Sequence, residues 1–72
     1  MINIEKKTFE SLFNLYYSGL IVYANRFTNQ IEISEDIVHD VFITLWEKKS
    51  SLLMESAKAY LFSSVRKRRL NH

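Results

Sequence analysis

Across 72 residues this chain has no proline and a single glycine, Gly19. Tight β-turns draw on those residues for fixed or positive φ angles, so a fold built from hairpins has almost nothing to turn on. Apolar residues instead recur three and four positions apart, the spacing of one helix face. Three such segments follow one another, with no internal repeat and no low-complexity stretch. The expectation is an all-α fold, a small bundle of three to four helices forming one domain over residues 1–72.

The first segment covers residues 8–28. Phe9, Leu12, Phe13, Tyr16, Leu20, Tyr23 or Ala24, and Phe27 define its apolar face, and Thr8 is a plausible N-cap. Ser18-Gly19 interrupts its middle, where glycine costs about 1 kcal/mol against alanine, so the first helix is expected to be kinked or split near Gly19. The second segment covers residues 34–49. Ser34 stands as its cap, Glu35 and Asp36 suit the positive end of the helix dipole, and Lys48 and Lys49 suit the negative end. Ile37, Val38, Val41, Phe42, Leu45 and Trp46 cover roughly half its circumference at ~100° per residue and are read as core, Trp46 at the border of the arc. The opposite side holds Asp36, His39, Asp40, Ile43 and Glu47.

Residues 50–55 include Leu52, Leu53 and Met54, too apolar for a free linker, and are expected to lie on the core. Ser56 then caps a last helix over residues 57–72. Ala57, Leu61, Ser64, Val65 and Arg68 share one of its faces, a thin and partly polar stripe. Such a helix does not look purely structural.

A chain this short buries only about 60% of the surface its unfolded form exposes, and it has neither cysteine for disulfides nor a Cys/His cluster for zinc. Helix packing has to supply the stability. With 47% apolar and 14% aromatic residues the material for a core is present, which argues against disorder. The N-terminus lacks the apolar run of a signal peptide, and nowhere do about 18 apolar residues run together. A cytoplasmic location without membrane insertion is therefore expected.

Net charge is only +2, but its distribution is uneven: Arg66, Lys67, Arg68 and Arg69 are consecutive cations, and no acid follows Glu55. With the aromatic pair Tyr60 and Phe62 on the same helix, this is the composition of a nucleic-acid surface. Taken alone it equally fits a solvated helix end complementing the dipole. The acids of the second segment lie apart, so the chain divides into a basic end for nucleic acid and an acidic helix for protein. Asp36, His39 and Asp40 share a face, yet nothing provides buried groups to orient them around a metal, and no metal or cofactor is expected. There is no glycine-rich phosphate loop, no HExxH and no Ser/His/Asp grouping. The chain is not expected to be an enzyme.

The order of these pieces carries a resemblance. Phe9-Glu-Ser-Leu-Phe-Asn-Leu-Tyr-Tyr, Tyr23-Ala24, Ser34-Glu-Asp-Ile-Val-His-Asp-Val-Phe-Ile-Thr-Leu-Trp-Glu-Lys and Ala59-Tyr-Leu-Phe-Ser-Ser-Val-Arg together resemble region 2 of extracytoplasmic-function (ECF) sigma factors, which are bacterial transcription initiation factors. The resemblance spans nearly the whole chain, from about residue 8 to residue 71. It implies docking on the clamp helices of the β′ subunit of core RNA polymerase, through the positions matched by Asp36, His39, Asp40 and Ile43. It also implies recognition and melting of the promoter minus-10 element, with the melted non-template strand held by Tyr60, Arg66, Lys67, Arg69 and Asn71. An anti-sigma factor would be a further partner.

Two positions depart from the family pattern. His39-Asp40 stands where the family usually has Gln-Glu, keeping a hydrogen-bonding group and a charge on a shorter arm. Lys67 stands where Asn is usual, which exchanges a group able to read a base edge for one that supplies mainly charge. Region 4, the helix-turn-helix that reads the minus-35 element in that family, has no counterpart in residues 1–72. Two other classes remain beside this one. A helix-turn-helix DNA binder would need a tight turn where residues 50–55 are apolar. A helical protein-interaction module would need only the acidic helix.

Overall fold

A computed structural model describes residues 5–49 and 54–70, with the side chains of 54, 69 and 70 outside the description. Three α-helices and one 3₁₀ turn follow in order: α1 (Lys6–Thr28), α2 (Ile31–Glu47), the turn (Met54–Ser56) and α3 (Ala57–Leu70). Among the described residues there is no strand, and every helix packs on both others. The bundle is all-α, as expected. With 23 residues at about 1.5 Å each, α1 accounts for the long dimension of 37 Å.

The kink or split expected near Gly19 is not seen, because α1 continues unbroken from Lys6 to Thr28. Gly19 is exposed, and a Cβ there would meet nothing within 4 Å. The helix penalty of one glycine is local and about 1 kcal/mol. Leu12 before it, and Leu20 and Ala24 after it, are all buried, and their common burial outweighs that penalty. The helix also begins earlier than the Thr8 cap suggests, with Glu5 as N-cap and no side-chain cap bond.

α1 stops at Asn29, which takes the left-handed conformation at φ 56° and donates its N–H to the Asn25 carbonyl at 3.1 Å. Asparagine tolerates that conformation better than other non-glycine residues. The Gln30 N–H donates to Thr28 Oγ1 at 3.2 Å, and α2 starts directly at Ile31. Ser34 is therefore not the N-cap it was read as. It lies one turn inside α2 with no exposure, its hydroxyl 2.7 Å from that of Thr28 and donating to Asn25 Oδ1 at 3.4 Å. Its polar group stitches the end of α1 to α2. An α-helix interior tolerates a buried serine when its hydroxyl finds such partners.

Of the three helices, α2 contributes the most residues to the core. Ile37, Val38, Val41, Phe42 and Leu45 are buried there, against Leu12, Leu20 and Ala24 of α1 and Ala57, Leu61 and Val65 of α3. The stripe expected on the last helix holds: its three apolar members are fully buried, while Ser64 and Arg68 sit at its edge. Residues 50–53, expected to lie on the core, fall outside the described residues, as does His72. No helix among the described residues is long and apolar enough to cross a membrane.

Candidate functional site

α2 turns its buried side to the core and a narrow ridge to solvent. Asp36, His39, Asp40, Ile43 and Glu47 are all exposed, and Ile43 is 57% exposed despite its apolar side chain. All four residues expected to dock a protein partner are thus on one face of one helix. The cause is the period: positions 36, 40, 43 and 47 recur at three and four, a quarter-turn or more away from the buried 34, 38, 41 and 45.

On the α1 side the ridge falls into an apolar groove of about 540 Å³. Phe9 and Phe13 of α1 and Phe42 and Trp46 of α2 form its floor and wall, with His39 and Ile43 at the rim and Lys6 and Glu10 opposite. The rings interlock. Phe9 meets Phe42 edge-on at 6.1 Å and Trp46 at 5.0 Å, and Phe13 meets Phe42 at 4.9 Å. Phe13 also stacks on Tyr17 at 4.8 Å, and Tyr17 stacks on His39 at 5.6 Å. Tyr17 Oη and His39 Nε2 share a hydrogen bond of 3.0 Å. His39 is therefore held against α1, whereas Asp36 and Asp40 project from the ridge without lining the groove.

Trp46 differs from its core reading. It remains 37% exposed, one face packed on Phe9 and the Lys49 ammonium 4.1 Å from its ring centroid. At the border of the apolar arc, the Phe9 ring meets the indole and leaves the rest of it exposed.

On the other side of the ridge, between α2 and α3, lies a polar hollow of about 320 Å³ lined by Thr44, Lys48, Tyr60, Ser64, Lys67 and Arg68. Among the described residues the lining has no acid. Thr44 Oγ1 donates to the Asp40 carbonyl at 3.0 Å and accepts from Arg68 Nη2 at 2.7 Å. Arg68, set on the core stripe by sequence, thus reaches across to α2 instead of spreading along α3.

The residues expected to hold nucleic acid are partly brought together. Tyr60 and Lys67 line the hollow, Tyr60 half-buried and Lys67 exposed. Arg66 is exposed on α3 outside the hollow. The side chain of Arg69 and all of Asn71 lie outside the described residues. Phe62, the second aromatic of that helix, turns inward instead, meeting Tyr16 at 6.4 Å and Tyr23 at 5.2 Å across the α1–α3 seam.

Sequence reasoning missed Thr44, Lys48, Ser64 and Arg68 as members of one hollow. Their signal was two short polar ladders, 44 and 48 on one helix and 60, 64, 67 and 68 on another. Nothing in either ladder states that they face each other. Among the described residues no group of three His, Asp or Glu side chains could hold a metal ion. Comparison with protein-family models, with curated proteins and with solved structures finds no match to this chain.

Proposed function

We propose that this chain is a domain of the region 2 type from a bacterial transcription initiation factor of the ECF sigma kind. It docks on core RNA polymerase through the α2 ridge and holds melted minus-10 DNA along the basic end of α3. The observation that carries this reading is the ridge itself: Asp36, Asp40 and exposed Ile43 stand together beside an apolar groove floored by four aromatic rings. Exposed acids steer a basic partner, and an apolar centre with a recess beside it retains one. A basic coiled coil such as the polymerase clamp helices has the matching character.

The α3 end supports the second half. Arg66 and Lys67 are exposed and Tyr60 lies half-buried beside Lys67, which is the mixture of cations and an aromatic ring that binds single strands with little sequence preference. Promoter opening would couple the two halves, since α2 contributes to both surfaces. No group needed for bond-making chemistry takes part, and the proposed role is binding, not catalysis.

Reversing one ridge charge tests the docking. Asp40→Lys leaves the backbone carbonyl that accepts from Thr44 in place. It should weaken binding to core polymerase, or to its isolated clamp fragment, by more than tenfold, which is about 1.4 kcal/mol, with an unchanged melting curve. Unaltered affinity in a folded variant would remove the ridge from the interface. A protein-interaction module of another kind would bind its partner here yet show no salt-sensitive affinity for single-stranded DNA.

A further inference from the structure

We propose that the outer face of α1 is a self-association surface, through which two copies of this chain pair antiparallel, α1 against α1. It stands independently of the polymerase and DNA reading, since it uses neither the α2 ridge nor the basic end of α3.

α1 carries two patterns on opposite sides. Its buried side holds Leu20 and Ala24. On the opposite side, at ~100° per residue, lie Ser11, Leu15, Ser18, Val22 and Asn25, all exposed. Their spacing alternates four and three, which is that of the seam along which two helices interlock. No charged residue stands between Glu10 and Arg26, although the solvent side of a surface helix ordinarily carries its charges. Leu15 is 70% and Val22 60% exposed. Two large aliphatic side chains, two turns apart on an uncharged strip of helix, form a patch and not the scattered apolar exposure of an ordinary surface.

The sizes along the seam select the occupant. Leu15 and Val22 hold one set of seam positions, and Ser11, Ser18 and Asn25 hold the other. An antiparallel pair centred between Tyr16 and Tyr17 sets Leu15 beside Ser18 of the second copy and Val22 beside Ser11. Each of these layers then joins a large side chain to a small one, which lets the two helices interdigitate. The contact is isologous, so every layer occurs twice. The same register brings Glu5 of one copy to the margin that holds Arg26 of the other, both exposed, and opposite charges there favour this pairing. Lys7 falls on the other margin, level with Thr28 of the second copy. A parallel pair would set serine on serine at alternate layers and leave gaps.

From Ser11 to Asn25 the seam is about 22 Å long, shorter than a coiled coil needs to form alone. α1 is already held by its own core, so pairing has to order only surface side chains. A two-helix contact of that length falls below the ~1,200–2,000 Å² of a stable interface. The dimer is therefore weak, with a dissociation constant between about 1 μM and 1 mM.

The test is sedimentation equilibrium of the whole 72-residue chain, loaded from about 10 μM to about 1 mM. The apparent mass should climb with concentration from that of the monomer towards that of the dimer. Leu15→Glu should raise the dissociation constant by more than about tenfold, because each dimer loses two leucines and gains two like charges at the seam. Its melting temperature at low concentration should be unchanged, since Leu15 is exposed. The chain has no cysteine of its own, so introduced thiols report the register. A mixture of Leu15→Cys and Ser18→Cys chains should oxidise mainly to the mixed disulfide, as only those two positions approach within bonding distance.

A chain that stays monomeric over the whole range, or a dimer that Leu15→Glu leaves intact, would overturn the proposal. Faster cross-linking of Ser18→Cys with itself than with Leu15→Cys would make the pair parallel and overturn the antiparallel seam.

Discussion

α2 meets its two neighbours with opposite chemistry. Its seam with α1 is a lattice of rings, Phe42 and Trp46 against Phe9 and Phe13, which leaves an apolar groove at the surface. Its seam with α3 is closed underneath by the aliphatic Leu61, Val65 and Ala57 and capped at the surface by the Arg68–Thr44 bond and cations. Large rings interdigitate but leave recesses at the edge of a small bundle, and such recesses are sites for another protein's side chains. Small aliphatics let two helices approach closely, so polar side chains at their margin can span the gap. One helix of 17 residues thereby borders an apolar groove on one side and a polar hollow on the other, separated by the width of the ridge.

If the first seam is the structural one, emptying it should be the most damaging change. Phe42 is 2% exposed and touches both Phe9 and Phe13. Phe42→Ala should cost about 3–5 kcal/mol, most of the stability available to a chain of this length, and should abolish the cooperative thermal transition. A variant that still melts cooperatively near the wild-type temperature would show that the ring lattice is packing decoration.

Trp46→Ala sharpens the distinction between the lattice and its rim. With more than a third of the residue exposed, the cost should be about 2 kcal/mol, below the range for a fully buried ring. The folded variant should also bind the clamp fragment more weakly than its melting point alone explains. A loss as large as that of Phe42→Ala would place the indole in the core after all.

On the second seam the expected effects are smaller. Thr44→Val removes the acceptor for Arg68 at a part-buried position and should cost about 1 kcal/mol, read as a lowered urea midpoint. A change beyond that of Trp46→Ala would reverse the ranking of the two seams. The smallest effect belongs to neither. Gly19→Ala places a methyl group in open space on a continuous helix and should stabilise by up to about 0.8 kcal/mol. Destabilisation would mean that α1 does bend at Gly19.

How much of this could be read from the chain differs by element. The apolar periods of all three helices were legible, because burial repeats with the helix turn whatever the neighbours are. The start of α2 was not. Ser34-Glu35-Asp36 has the composition of a cap, but Asn29 takes the left-handed turn, and a hydroxyl that caps from one register bridges helices from another. Trp46 could be placed on the edge of an arc, yet its exposure depends on what α1 puts opposite, and the edge-on contact with Phe9 leaves part of it exposed.

The sequence by itself determined that the fold is helical, that Ile37, Val38, Val41, Phe42 and Leu45 of α2 face inward, and that the run of cations from Arg66 to Arg69 lies on a different element from the acids of α2. Each follows from local spacing, residue by residue. Only the tertiary structure decided that the acidic ridge borders an aromatic groove, that Thr44 holds Arg68, and that Lys48 shares a recess with Lys67. Those are relations between residues as many as 37 positions apart, set by how three helices cross, and periodicity within a helix carries no information about its rotation against another.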